Sequence, residues 1–166
     1  VEQVRELVGC GVRFVQIRAK CSSGRELYDI VVSALEIARE SGARIVVNDR
    51  VDVALASGAD GVHVGQDDLP AGAARAILGP DAIVGISTHS VEQARAAAQL
   101  PVDYVAIGPI FPTATKTDAD PVVGLEGLAA VREAVARPLV AIGGIQISNA
   151  AAVFRAGADS VAVVSG

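Results

Sequence analysis

The chain has 166 residues, 51% of them hydrophobic and 20% charged, and its mean hydropathy is +0.45. This composition predicts one apolar-rich domain over residues 1–166. A net charge of −5 and a pI near 5.0 argue against nucleic-acid binding. With no long apolar run and no signal-peptide pattern, we expect a cytoplasmic protein without a membrane partner, in which Cys10 and Cys21 are free thiols.

Seven apolar runs of β type alternate with seven helical patterns along the chain. Strands are predicted at 14–18, 45–49, 61–65, 83–87, 104–108, 139–144 and 160–165. Helices are predicted at 1–8, 25–40, 51–57, 69–78, 91–99, 125–136 and 148–155, with N-caps at Asp68, Ser90 and Ser148. This alternation predicts an α/β fold with a parallel sheet, whose functional groups gather at the carboxyl ends of the strands.

A weak repeat marks the passage from helix to strand, as in Gly58-Ala59-Asp60 and Gly157-Ala158-Asp159. It favours a closed (βα)8 barrel, although periodicity leaves a doubly wound open sheet as an alternative. Such a barrel usually needs at least about 200 residues. We therefore expect the first strand and the last helix to be missing, and residues 1–166 alone to aggregate through open strand edges.

Three polar side chains alternate at the end of the first predicted strand: Gln16, Arg18 and Lys20. Strand periodicity places them on one face, where two cations and an amide suit an anion such as a diphosphate. A solvated strand end is the competing interpretation.

Carboxylates follow the next two strands. Asn48-Asp49 ends one, and Gln66-Asp67-Asp68 ends the other. Adjacent parallel strands bring such loops together, and Mg²⁺ commonly takes one or two carboxylates plus substrate phosphates. Each aspartate is also a suitable helix N-cap.

The later part of the chain carries candidates for a phosphate site. The long connection after the fifth strand contains Thr113-Ala114-Thr115-Lys116, and Gly143-Gly144 and 164–166 close the last two strands. Loops after strands seven and eight of such barrels often bind phosphate through backbone N–H groups. Ordinary turns are the alternative.

Two histidines differ in setting. His63 lies inside an apolar strand and is expected in the core. His89 follows a strand and could act as an acid or base, but the sequence shows no carboxylate beside it.

The chain resembles the thiamine-phosphate synthase family through an ordered set of motifs that covers its whole length. The motifs are Gln-Ile-Arg-x-Lys, Val-Asn-Asp-Arg, Gly-Val-His-Val-Gly-Gln-x-Asp, Gly-Ile-Ser-x-His, Gly-Pro-Ile-Phe-Pro-Thr-x-Thr-Lys, Ala-Ile-Gly-Gly-Ile and a closing Val-Ser. The resemblance implies a TIM barrel. It also implies transfer of a pyrimidine methyl group from 4-amino-2-methyl-5-hydroxymethylpyrimidine diphosphate to a thiazole phosphate, with release of pyrophosphate.

The resemblance also implies roles for residues at matching motif positions. The diphosphate set is Gln16, Arg18, Lys20 and Asn48, with Ser87 and Lys116 as further contacts to the pyrimidine diphosphate. The Mg²⁺ ligands are Asp49 and Asp68. The thiazole-phosphate set is Thr113, Thr115, Gly144, Val164 and Ser165. The residues expected to act in catalysis are Arg18, Lys20, Ser87 and Lys116.

The implied mechanism is dissociative: pyrophosphate leaves first, and the thiazole nitrogen attacks the resulting cation. Two alternatives stay open, a thiazole tautomerase that uses His89 and a non-catalytic phosphate-binding barrel. A homo-oligomer is a further possibility.

Overall fold

The structure is a computed structural model that describes residues 1–113 and 120–164. The chain divides into two compact units, Val1–Val84 and Gly85–Gly166. Within the described residues, seven helices alternate with seven strands. Every strand pairing within a unit is parallel, which confirms the predicted α/β class.

The first unit holds three complete strands and four helices. In chain order they are α1 (Glu2–Gly9), β1 (Phe14–Ile17), α2 (Gly24–Ser41), β2 (Arg44–Asn48), α3 (Val51–Ser57), β3 (Gly61–Val64) and α4 (Ala71–Leu78). Strand β2 pairs with β1 and β3, with Ile45 opposite Val15 and Val47 opposite Val62.

The second unit continues the same alternation. Strand β4 (Ile83–Thr88) starts at the end of the first unit. It is followed by α5 (Val91–Ala97), β5 (Tyr104–Ile107), α6 (Gly124–Ala134), β6 (Leu139–Ile142), α7 (Ile147–Arg155) and β7 (Ser160–Ala162). Strand β5 pairs with β4 and β6, and β6 pairs with β7.

Each unit buries aliphatic strands under its helices. In the first, Ile45, Val46 and Val47 of β2 are completely buried and α2 packs on this strand. Side chains directed to both faces are buried, which is why a continuous β-branched run forms a parallel strand here. In the second unit, Val105 and Leu139 have the same role.

The aspartate of the sequence repeat has a structural function in both units. Asp60 accepts a hydrogen bond from the N–H of Ile45 at 2.7 Å and pairs with Arg44. Asp159 accepts from the N–H of Leu139 at 2.8 Å and pairs with Arg132. In each case the aspartate lies in the turn before one strand and accepts a hydrogen bond from the first part of the preceding strand.

The predicted helix starts are only partly correct. Ser90 caps α5, since its hydroxyl accepts from the N–H of Gln93. Asp68 and Ser148 are not N-caps. The α4 cap is Pro70, because Asp68 binds a backbone N–H in its own loop, and α7 starts after Gln146, whose capping box with Asn149 replaces Ser148. No helix in the described part of the chain is long and apolar enough to cross a membrane.

Candidate functional site

The first unit brings Lys20, Asp49 and Asp68 together after the ends of β1, β2 and β3. Lys20 Nζ lies 3.5 Å from Asp49 Oδ2. The Asp68 carboxylate accepts a hydrogen bond from the N–H of Gly65 at 2.7 Å, which turns it back toward the end of β3. These three side chains form a cluster of one cation and two carboxylates, as the strand-end motifs predicted.

Asp49 adopts a backbone conformation that suits few residues. It is the one non-glycine residue with positive φ in the described chain, at 63°, and its N–H donates to the carbonyl of His63 at 2.8 Å. Aspartate and asparagine tolerate this left-handed region better than most side chains. The bond to β3 and the turn after β2 fix the place of the Asp49 carboxylate.

Burial raises the pKa of the Asp49 carboxyl above its ordinary value, and the hydrogen bond and negative charge of Asp68 raise it further. Lys20 acts in the opposite direction with a smaller effect. The pair therefore concentrates negative charge that one lysine does not neutralise. A cation between the carboxylates would stabilise both in their charged forms.

The donor set fits a hard divalent cation. Carboxylate oxygens are the ligands that Mg²⁺ prefers, and it usually keeps several positions for water and substrate phosphates. No group of three or more His, Cys, Asp or Glu suited to a metal occurs among the described residues. Among the described Asp, Glu, His and Cys side chains, an ion held here would therefore rely on the two carboxylates of Asp49 and Asp68.

The other predicted diphosphate residues border this cluster along the chain. Gln16 is exposed on β1 between the buried Val15 and Ile17, and Arg18 follows it on the exposed side. Both residues are exposed, and Arg18 lies one residue beyond the end of β1. Asn48 ends β2, and its carbonyl accepts from the N–H of Arg50 at 2.7 Å.

In the second unit, the turn after β6 lies against the start of the β5–α6 connection. Gly144 has a φ of 67°, and a Cβ placed on it would lie 2.7 Å from Phe111 Cβ and from the carbonyl oxygen of Pro112. Its carbonyl accepts from Asn149 Nδ2 at 3.1 Å, at the start of α7. Glycine is required here for two reasons. The positive φ disfavours other residues, and the neighbouring loop leaves no space for a Cβ.

The remaining predicted residues have different settings. Ser87 is buried in β4, Thr113 lies on the β5–α6 connection, and Val164 is exposed after β7. Thr115, Lys116 and Ser165 lie outside the described residues. His63 is buried, as predicted.

One interaction was not predicted from the sequence. His89 Nε2 lies 3.3 Å from Asp120 Oδ2, so a carboxylate does lie beside His89. Its Nδ1 lies 2.6 Å from the carbonyl oxygen of Gly108. Asp120 lies between β5 and α6, outside any strand or helix, so strand and helix periodicity give no signal for this contact.

A comparison with protein families matches residues 1–166 to the family described as thiamine monophosphate synthase. The thiamine-phosphate synthase of Azorhizobium caulinodans is 50% identical over 165 residues, which are 99% of this chain and 78% of the relative. The thiamine-phosphate synthase of Moorella thermoacetica is 47% identical, with 99% and 79% covered.

Solved structures give a consistent result. Thiamine phosphate pyrophosphorylase from Pyrococcus furiosus superposes with a TM-score of 0.89 at 42% identity, covering 98% of this chain and 77% of that one. A 3-hexulose-6-phosphate synthase superposes with a TM-score of 0.68 at 18% identity, covering 96% and 81%. The second similarity concerns the fold alone.

Proposed function

We propose that this chain, which belongs to the thiamine monophosphate synthase family and is a thiamine-phosphate synthase, binds its two substrates through two separate groups of residues. The cluster of Lys20, Asp49 and Asp68 supports a site for the diphosphate of the pyrimidine substrate. The turn at Gly144 supports a site for the thiazole phosphate. The first cluster is the observation on which the proposal chiefly rests, since it combines a cation with two metal-suited carboxylates.

The diphosphate is bound by the basic residues that follow β1. Lys20 and Arg18 supply charge-assisted hydrogen bonds to phosphate oxygens, and Gln16 and Asn48 supply neutral donors. By the family resemblance, Ser87 and Lys116 contact the same substrate. Lysine and arginine near a leaving diphosphate stabilise the negative charge that develops as its bond to carbon breaks.

Asp49 and Asp68 would hold Mg²⁺. When bound, the ion supplies additional positive charge to the diphosphate oxygens. The raised pKa of Asp49 supports this assignment, because a pair of carboxylates so close together is poorly compensated by Lys20 alone.

The thiazole phosphate is bound by the turn after β6, at Gly144 and the start of α7, with Thr113, Thr115, Val164 and Ser165 as further contacts. Backbone N–H groups at a helix start favour an anion. Because Phe111 lies close to Gly144, there is no space for a side chain at position 144, and this turn offers backbone atoms to a ligand.

The reaction proceeds by dissociation. The carbon–oxygen bond of the pyrimidine methyl group breaks, and pyrophosphate leaves with the electron pair. The thiazole nitrogen then donates its lone pair to the methyl cation and forms the carbon–nitrogen bond of thiamine phosphate. This nitrogen carries no proton to remove, so the step needs no general base.

We also propose that the seven strands belong to an eight-stranded TIM barrel. The βα alternation supports this architecture, and so does the greater length of the relatives, of which the chain covers 78–79%. Two free and exposed cysteines, Cys10 and Cys21, support a reducing, cytoplasmic location.

The test is a coupling assay with both substrates, with and without Mg²⁺. Asp49→Asn and Asp68→Asn should each lower the rate about tenfold or more, because lost stabilisation of a leaving group is worth roughly 2–4 kcal/mol. Asp67→Asn, at the exposed neighbouring carboxylate, is the matched control and should keep its activity. Full activity of both variants in EDTA would contradict the metal assignment, and absence of thiamine phosphate from the wild type would contradict the function.

A further inference from the structure

We propose that His89 and Asp120 form a positioning pair that holds the two ends of the β5–α6 connection in place and so sets the affinity for the thiazole phosphate. This inference rests on the proposed function, because the connection carries Thr113 and packs against Gly144. His89 and Asp120 act through the connection and are not assigned to the reacting atoms.

The ring of His89 contacts both ends of that connection. Nδ1 lies 2.6 Å from the carbonyl oxygen of Gly108, the residue after β5, and Nε2 lies 3.3 Å from Asp120 Oδ2, four residues before α6 starts at Gly124. Only 14% of the His89 side chain is exposed, against 40% of Asp120. The largely enclosed ring therefore bridges the departing and the returning chain.

The end of β4 holds His89 in a fixed position. The His89 N–H donates to Gln93 Oε1 at 2.7 Å, and the neighbouring Thr88 hydroxyl donates to the carbonyl of Ala106 at 2.8 Å. Thr88 is completely buried. Asp120 thus contacts a histidine whose own backbone and neighbouring residue are held by hydrogen bonds.

Backbone hydrogen bonds hold other described points of the connection. Ile110 N–H donates to the carbonyl of Ile142 at 2.9 Å, and Val123 N–H donates to the carbonyl of Pro109 at 2.8 Å. These bonds hold the connection at its start and at its junction with α6. The ion pair adds a side-chain contact to the returning part.

The partners of the ring set the direction of its hydrogen bond to Gly108. Gly108 offers a carbonyl oxygen and Asp120 a carboxylate oxygen, and both only accept hydrogen bonds. The 2.6 Å contact between Nδ1 and the Gly108 carbonyl oxygen therefore requires a hydrogen on Nδ1.

Asp120→Asn is informative because its amide offers Nε2 of His89 both a donor and an acceptor. This variant therefore keeps the contact to the ring without the carboxylate charge. Asp120→Ala removes the contact.

The experiment measures steady-state kinetics for each substrate in the wild type, Asp120→Ala, Asp120→Asn and a control, Asp81→Ala, which alters an exposed carboxylate before β4. Asp120→Ala should raise KM for the thiazole phosphate roughly tenfold, since misplacing a binding loop by a fraction of an ångström has effects of this order. KM for the pyrimidine diphosphate and the melting temperature should change little. Asp120→Asn should restore the wild-type KM.

Two readouts distinguish this role from a merely structural one. KM should rise for the thiazole phosphate and not for the pyrimidine diphosphate, and Asp120→Asn should restore the wild-type value.

Three results would overturn the inference: kinetics of Asp120→Ala equal to those of Asp81→Ala, equal rises in both KM values with a lower melting temperature, or the same rise in KM for the thiazole phosphate in Asp120→Asn as in Asp120→Ala. An inactive wild type would instead contradict the proposed function.

Discussion

At the residue scale, the proposed function depends on charged side chains at the ends of strands. Asp49 combines a left-handed backbone conformation, partial burial and a neighbouring carboxylate. Each feature costs free energy in the folded protein. We attribute their persistence to ligand binding, since a nearby cation and a diphosphate restore the lost electrostatic balance.

The raised pKa of Asp49 predicts how its replacement affects the metal-free protein. Because the folded state binds this proton more tightly than the unfolded state, the free energy of unfolding falls as the pH rises from the ordinary value of 3.8 through the folded pKa. The loss persists at neutral pH. Asp49→Asn removes the charge and tolerates the same backbone angle, so it should melt at a higher temperature than the wild type.

Thermal melts in EDTA over a pH series test this expectation, with Asp67→Asn as the control. The higher melting temperature of Asp49→Asn should disappear at acid pH, where the wild-type carboxyl is protonated in both the folded and the unfolded state. At neutral pH, addition of Mg²⁺ should reduce the difference in melting temperature between this variant and the wild type. A lower melting temperature for Asp49→Asn in neutral EDTA would contradict the electrostatic account.

The sequence was sufficient to place Lys20, Asp49 and Asp68 in one cluster, because parallel strands carry their carboxyl ends to the same edge. It was not sufficient to pair His89 with Asp120. Asp120 lies between β5 and α6, outside the strands and helices that side-chain periodicity predicts.

At the element scale, predicted and observed boundaries agree closely wherever local chemistry is strong. The observed α3 matches the prediction at both ends, and Gly58 provides the expected left-handed cap. The starts of α4 and α7 were predicted wrongly, because Asp68 binds the Gly65 N–H and Gln146 forms a capping box of its own. Competing hydrogen bonds, not hydrophobic pattern, decide these starts.

The start of α2 offers a quantitative test of capping. Ser23 Oγ accepts from the N–H of Glu26, and Glu26 Oε2 accepts from the N–H of Ser23 at 2.8 Å. Ser23→Ala should lower the free energy of unfolding by about 1 kcal/mol, measured by urea denaturation. Ser33→Ala, within the same helix, is the control and should change it little.

The capping effect should depend on pH. The hydrogen bonds from Ser23 lower the pKa of the Glu26 carboxyl, so its contribution is present above the ordinary value of 4.5 and is lost as the pH falls through the folded pKa. The difference between Ser23→Ala and the wild type should therefore shrink at acid pH. An effect of equal size at acid and neutral pH would show that Glu26 takes no part.

At the scale of the whole molecule, the two substrates are assigned to residues in different parts of the chain. Lys20 and the paired aspartates belong to the first unit, and Gly144 belongs to the second. The repeated βα pattern predicted both groups of strand ends, since each unit repeats the same order of strand, loop and helix. We therefore expect a substitution in one group of residues to leave the affinity for the other group's substrate unchanged.

Calorimetric titration of each substrate separately tests this division most directly, with Mg²⁺ present. Lys20→Ala should weaken binding of the pyrimidine diphosphate about tenfold or more, because a charge-assisted hydrogen bond is worth roughly 1.5–3 kcal/mol. It should leave the affinity for the thiazole phosphate unchanged, and Gly144→Ala should show the reverse pattern with folding confirmed by its melting curve. Equal weakening of both ligands by Lys20→Ala would contradict the assignment of two binding groups.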